Sequence, residues 1–212
     1  MSVRDGLLAL LTLGPAYGRQ LHAELLDRAA HRPRINVGQI YSTLDRLRER
    51  GLVADAGSTE DGLPLHTLTE EGRAEALAWL SGEGACSDEG WDDVLDRVLL
   101  ASSLSLAHLR AVLAAYDRVL SRAAGDAPRD EPKARATSSS DAGRQDEQHP
   151  QRRLAARATQ VREEALRHLL IAAREELVAD ADASTVRGFA LERPRRGRRA
   201  GPRDETGTGA VA

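Results

Sequence analysis

A chain of 212 residues with 41% hydrophobic content can bury one modest core or two small ones. With aromatics at 3%, that core must be built from Leu, Ala and Val on packed helices, and the single Cys86 excludes an intramolecular disulfide framework and a Cys-based zinc site. The net charge of −3 does not mark a nucleic-acid binder, so the position of the charges carries more information than their sum.

No stretch approaches the roughly 20 uninterrupted apolar residues of a membrane span. The N-terminus has neither the charged run nor the layout of a signal peptide, so a soluble cytoplasmic protein is expected. Lys133 is the only lysine. Arginine abundance in such a chain is compositional and carries no weight by itself.

In chain order, Val3, Leu7, Leu8, Leu10 and Leu11 predict a buried first helix over Val3–Leu13, broken by Gly14-Pro15. A second helix is expected over Gly18–Ala30, with Leu21, Leu25 and Leu26 inward. The third follows Asn36, whose side chain can cap the first turn. It carries Val37, Ile40, Tyr41, Leu44 and Leu47 as its apolar set, and Gly51 closes it at a left-handed position.

Its other face presents Gln39, Thr43, Arg46 and Arg50, spaced to project as one polar stripe. From Arg28 to Arg50, six arginines stand against Asp45 and Glu49, a local net charge of +4 in an otherwise acidic chain. Leu52-Val53, a polar turn from Gly57 to Pro64, and Leu65–Leu68 then read as a hairpin. Thr69 caps a helix starting at Glu70, whose early acids suit its positive end.

Three helices followed by a hairpin is the order of a winged helix-turn-helix. The fold class expected is mainly α: an N-terminal winged helix-turn-helix (three helices plus a two-stranded wing) over residues 1–82, a connector at 83–90, and a C-terminal helical dimerisation region. That region comprises residues 91–124, where Val94, Leu95, Val98 and Leu99 mark one helix and Leu106 to Leu120 a nearly heptad second one behind Ser105. It resumes at 151–191 with a C-terminal dimerisation helix. Between them, 125–150 reads as a disordered polar linker, and 192–212 as a disordered Arg-rich tail.

Gly14-Pro15-Ala16-Tyr17-Gly18, Gly38-Gln39-Ile40-Tyr41 through Leu44, Leu47 and Arg50-Gly51-Leu52-Val53, and Leu68-Thr69-Glu70-Glu71-Gly72-Arg73 resemble the PadR family of bacterial transcription regulators over roughly residues 1–82. The resemblance implies a homodimer on palindromic double-stranded DNA, more often a repressor, released by a phenolic or hydrophobic small molecule. It implies that the helix Val37–Arg50 enters the major groove, with Tyr17 and Tyr41 near the DNA backbone. Two features depart from the family pattern. The wing tip is acidic at Glu60-Asp61, where the family has a basic tip, and His66 stands where a tyrosine is usual.

Groove chemistry assigns roles along that helix. Arg46 can pair bidentately with guanine and Gln39 with adenine. Ser42 and Thr43 suit phosphate or a thymine methyl, and Arg50, near the helix end, suits phosphate. The bland alternatives stand beside these: an Arg-rich solvated face, and core-edge packing for Tyr17 and Tyr41. Trp79 and Trp91 suit core or dimer-interface anchors. By the resemblance, Trp91 also suits an aromatic ligand pocket. Arg193–Arg203 reads as a solubilising tail or a second DNA contact.

The six histidines lack metal-ligand spacing, so no metal and no cofactor is expected. No phosphate loop, nucleophile elbow or HExxH is present, so catalysis is not expected. The competing reading is a winged-helix protein-interaction module without DNA binding.

Overall fold

The computed structural model describes residues 3–29, 31, 35–126, 150–179 and 186–189. The linker and tail read at 125–150 and 192–212 lie outside the described residues, apart from 125, 126 and 150, which are helical. So do Arg32 and Arg34 of the basic segment.

Helix α1 (Val3–Leu11) is buried on nearly every side and packs on four other helices, so it forms the centre of the molecule. It stops at Leu11 rather than Leu13. Thr12, Leu13 and Gly14 form tight turns instead, their N–H groups donating to Ala9, Leu10 and Leu11. A short strand β1 (Ala16–Tyr17) follows. Then come α2 (Gly18–Arg28) and α3 (Val37–Glu49).

Asn36 caps α3 as its sequence position suggests, Oδ1 accepting from the N–H of Gly38 at 2.8 Å. At the far end, Gly51 adopts φ +72. Its N–H donates to Arg48 and that of Leu52 to Leu47, both at 2.9 Å. This pair of bonds is the Schellman motif, which needs a left-handed residue where Gly51 stands.

Strands β2 (Val53–Ser58) and β3 (Pro64–Leu68) form the hairpin. They pair antiparallel from Val53↔Leu68 to Ser58↔Pro64, with a register irregularity between Asp55 and Ser58. Strand β1 adds to the far side of β3 through Ala16↔His66 and Tyr17↔Leu65, giving a three-stranded sheet in the order β1-β3-β2. The two-stranded wing expected from sequence thus gains a third strand. Thr69 then caps α4 (Glu70–Leu80), accepting from Gly72 N–H at 3.0 Å. The same hydroxyl donates to the carbonyl of Gly51 at 2.7 Å, which ties α4 to the end of α3.

The C-terminal part consists of α5 (Trp91–Leu104), α6 (Leu106–Asp126) and α7 (Pro150–Leu177). Two apolar clusters result. One gathers Leu7, Leu11, Leu21, Leu25, Ile40, Leu44 and Leu47. The other gathers Leu80, Val98, Leu109, Leu113, Tyr116, Leu166 and Leu170. They interlock, because Leu100 of α5 enters the first, Ala9 of α1 enters the second, and Trp79 packs on both.

Arg97 pins the junction. Its guanidinium lies 5.2 Å from the Trp79 ring centroid and 5.9 Å from that of Tyr116. It pairs with Glu89 at 3.0 Å, and Glu89 also accepts from the Tyr116 hydroxyl at 2.8 Å. Burial pushes the Tyr116 phenol far above its ordinary pKa, so it serves as a neutral donor. Among the described residues, no helix is long and apolar enough to cross a membrane.

Candidate nucleic-acid interface

Helix α3 buries three side chains, Ile40, Leu44 and Leu47, as one narrow stripe. Val37 and Tyr41, counted with the apolar set from sequence, are instead 43% and 45% exposed. The helix lies on the rim of the core, so a single stripe is all it can bury. Helical spacing divides the remaining positions into a flank bearing Gln39, Thr43, Arg46 and Arg50, an outward centre bearing Gly38, Ser42, Asp45 and Glu49, and an opposite flank bearing Val37, Tyr41 and Arg48.

The first flank comes together as read from sequence. Gln39, Thr43, Arg46 and Arg50 line one groove of about 280 Å³, closed on its other side by Val3 and Arg4 of α1. Arg4 is engaged with carboxylates, pairing with Asp5 at 2.7 Å and with Glu75.

Local hydrogen bonds hold the polar side chains against the helix. Thr43 Oγ1 and Ser42 Oγ donate to the Gln39 carbonyl at 2.7 and 3.1 Å. Arg46 folds back on the preceding turn, with Nε 3.2 Å from the Ser42 carbonyl and Nη2 3.4 Å from its hydroxyl. It must swing off Ser42 to meet a base edge bidentately.

Tyr17 is 7% exposed in β1 and does not join this surface. Tyr41 does, seated over Gly18: a Cβ on that glycine would meet Tyr41 Cε1 at 2.6 Å. Trp91, 42% exposed, begins α5 and does not line the α3 groove.

The local charge is smaller than sequence counting indicates. Arg28 is buried against Glu24 at 2.8 Å, and Arg48 pairs with Asp45 at 2.9 Å. The cationic character of α3 therefore rests on Arg46 and Arg50, while its first turn carries no acid. Sequence reading missed two members of this surface, Arg4 and the outward-facing Val37. An apolar residue at a helix start gives no signal of which way it faces.

The wing tip turns through Thr59, whose N–H donates to Leu63 and whose carbonyl accepts from Gly62. Glu60 and Asp61 are exposed there. His66 is buried on β3, and burial lowers its pKa, as does the nearby Arg48.

Residues 7–78 match the model of the Transcriptional regulator PadR-like family. No curated protein matches the sequence. Among solved structures, Bacillus subtilis PadR in complex with operator DNA aligns over 82% of this chain and 99% of its own, at 18% identity and a TM-score of 0.37. The smu.1604c protein of Streptococcus mutans UA159 aligns over 84% and 99%, at 19% identity and a TM-score of 0.36. Over its residues 7–78, the chain is similar to the PadR-like family of transcriptional regulators.

Proposed function

We propose that this regulator is a homodimeric repressor that reads a palindromic operator with α3 and is released by a small molecule. The observation that carries this reading is α3 itself. It turns all but three of its side chains away from the core, starts without an acid, and sets Gln39, Thr43, Arg46 and Arg50 along one groove. A helix of this kind fits the major groove, whose base edges present distinct donor and acceptor patterns. Tyr41 and Ser42 contact the backbone beside it and Arg50 binds phosphate, while Tyr17 lies buried in β1.

Dimerisation uses residues 91–124 and the helix read at 151–191. Within it, α7 leaves Leu154, Val161 and Ile171 at least half exposed. A dimer must hold its reading helices about 34–36 Å apart, or a multiple of that, and an effector favouring another spacing releases DNA. The effector is hydrophobic or aromatic. A crevice of about 490 Å³ between α6 and α7, lined in part by Val119, Leu120 and Leu166, has the size for one. Trp91 does not line that crevice and, half-exposed at the start of α5, offers an effector a separate aromatic contact.

The test is titration of duplex DNA from upstream of the protein's own gene, across salt, beside a scrambled duplex. Tight binding to the upstream duplex alone, weakened roughly 5- to 150-fold by Arg46→Ala through loss of one bidentate base contact, supports the reading. Equal binding by Arg46→Ala overturns the assigned reading face.

A second reading, a winged-helix module that binds protein, draws on Asp45 and Glu49 at the outward centre of α3 and on the acidic wing tip. A steep fall of DNA affinity with salt argues against it, because protein partners release no condensed counterions.

A further inference from the structure

Arg28 ends α2 as a buried cation, with its three guanidinium nitrogens shared among three parts of the chain. Nε donates to Glu24 Oε2 one turn back at 2.8 Å. Nη1 donates to the carbonyl and hydroxyl of Ser103, near the end of α5, at 2.9 and 3.0 Å. Nη2 donates to the carbonyls of Arg187 and Gly188 at 3.0 and 2.6 Å. A buried guanidinium needs acceptors for its five N–H groups, and the acceptors of Nη2 are supplied by residues 187–188.

The remaining contacts of that segment fall on the same two helices and on the apolar cluster beside them. The Ser103 carbonyl lies in the last turn of α5, where intrahelical donors run out, and the backbone N–H of Arg187 donates to it at 3.0 Å. The Arg187 side chain pairs with Asp27 of α2. Phe189 packs against the apolar cluster of the winged helix. Main-chain, ionic and apolar contacts from Arg187, Gly188 and Phe189 thus join α2, the end of α5 and the apolar cluster beside them.

We propose that residues 186–189 are a strap, returning from beyond α7, that clamps α2 onto α5 and holds the winged helix in a fixed orientation on the C-terminal helices through Arg28. When the strap docks, Nη2 is satisfied and Phe189 lies on the apolar cluster. When it leaves, Nη2 loses both carbonyls and Phe189 leaves the core. Docking or release of the strap therefore biases the orientation of α2 and α3. The clamp stands independently of DNA binding, and its regulatory use alone rests on the proposed function.

Phe189 is the only phenylalanine in the chain, so replacement with 4-fluorophenylalanine in the full-length protein gives one ¹⁹F resonance. The expected result is a resonance displaced from its urea-unfolded position, moving to that position in Arg28→Gln. Because Arg28→Gln removes a buried cation and can disturb folding, Phe189→Ala cuts the strap from its own side. In that variant, amide exchange in α2 and the last turn of α5 is expected to quicken about tenfold, with α6 unchanged. The strap is overturned by a resonance at the unfolded position in the unaltered protein, or by one unmoved in a folded Arg28→Gln. Unchanged exchange in Phe189→Ala overturns it as well.

Discussion

The ring of Tyr41 rests directly on the backbone of Gly18, so closely that a Cβ there would lie 2.6 Å from Cε1. Gly18 opens α2 and Tyr41 sits on the exposed flank of α3, so the first residue of one helix sets the position of a phenol on the other.

Gly18→Ala is therefore expected to separate stability from function. The ring is the far end of a half-exposed side chain and can swing away cheaply. Loss of unfolded-chain entropy on Gly→Ala substitution offsets the rest, keeping unfolding free energy within about 1 kcal/mol. The phenol no longer sits where α3 meets its ligand, and DNA affinity falls roughly 2- to 10-fold, the value of one hydrogen bond. Urea unfolding and duplex titration on the same sample measure both. Wild-type affinity in this variant would make Tyr41 a packing residue.

Gly72 presents the opposite case. A Cβ there would fall 1.9 Å from the Leu52 carbonyl oxygen and 2.8 Å from its carbon, and backbone cannot swing aside. Alanine favours a helix by up to about 1 kcal/mol over glycine, yet Gly72→Ala is expected to cost about 3 kcal/mol or more, because α4 must move off the end of α3. An unchanged urea midpoint would show that α4 can move off Leu52 without cost.

These close approaches mark where the sequence stops being legible. Features set by neighbours along the chain could be read: Asn36 and Thr69 as caps, Gly51 as the helix end, and Ile40, Leu44 and Leu47 as the stripe facing the core. Features set by distant partners could not. Two residues at Ala16–Tyr17 have no periodicity, and they form a strand because His66 and Leu65 lie beside them. Val37 and Tyr41 count as apolar in any pattern, and the narrow seat of α3 alone puts them outside. Arg28 counts with the basic segment in sequence, and only Ser103 and residues 187–188, distant in the chain, make it a buried cation. The C-terminal helix expected over 151–191 is shorter: its apolar spacing ends at Leu177, where α7 also ends, and residues 186–189 have no helical structure.

His66 makes stability depend on pH. Burial lowers its pKa from 6.5, and the charge of Arg48 acts in the same direction, against Asp55 and Asp45. The unfolded chain takes up this proton near pH 6.5, while the folded domain resists until lower pH. In that interval the unfolded state binds more protons, so stability falls as the solution is acidified from pH 7 and the loss is complete below the folded pKa. Burial lowers the pKa of His108 as well, so His66→Gln is expected to remove part of the slope between pH 7.5 and 5, and His66→Gln with His108→Gln more of it. Urea unfolding at both pH values measures it. An identical slope in His66→Gln would mean that the imidazole titrates alike in both states.

Asp45 tests which face of α3 meets DNA. It lies at the outward centre of the helix, and its pair with Arg48 is exposed on both sides, a contact worth about 0–1 kcal/mol. Asp45→Asn should therefore leave folding unchanged. Against a polyanion it removes a repulsion and frees Arg48 for phosphate, so affinity should rise for upstream and scrambled duplexes alike. The slope of log K against log salt should steepen by up to about one. Because the added contact reads no base, the ratio between the two duplexes should stay unchanged as affinity rises. A variant with unchanged slope and unchanged affinity would place the centre of α3 away from phosphate, and the acids there would then belong to a surface that meets protein.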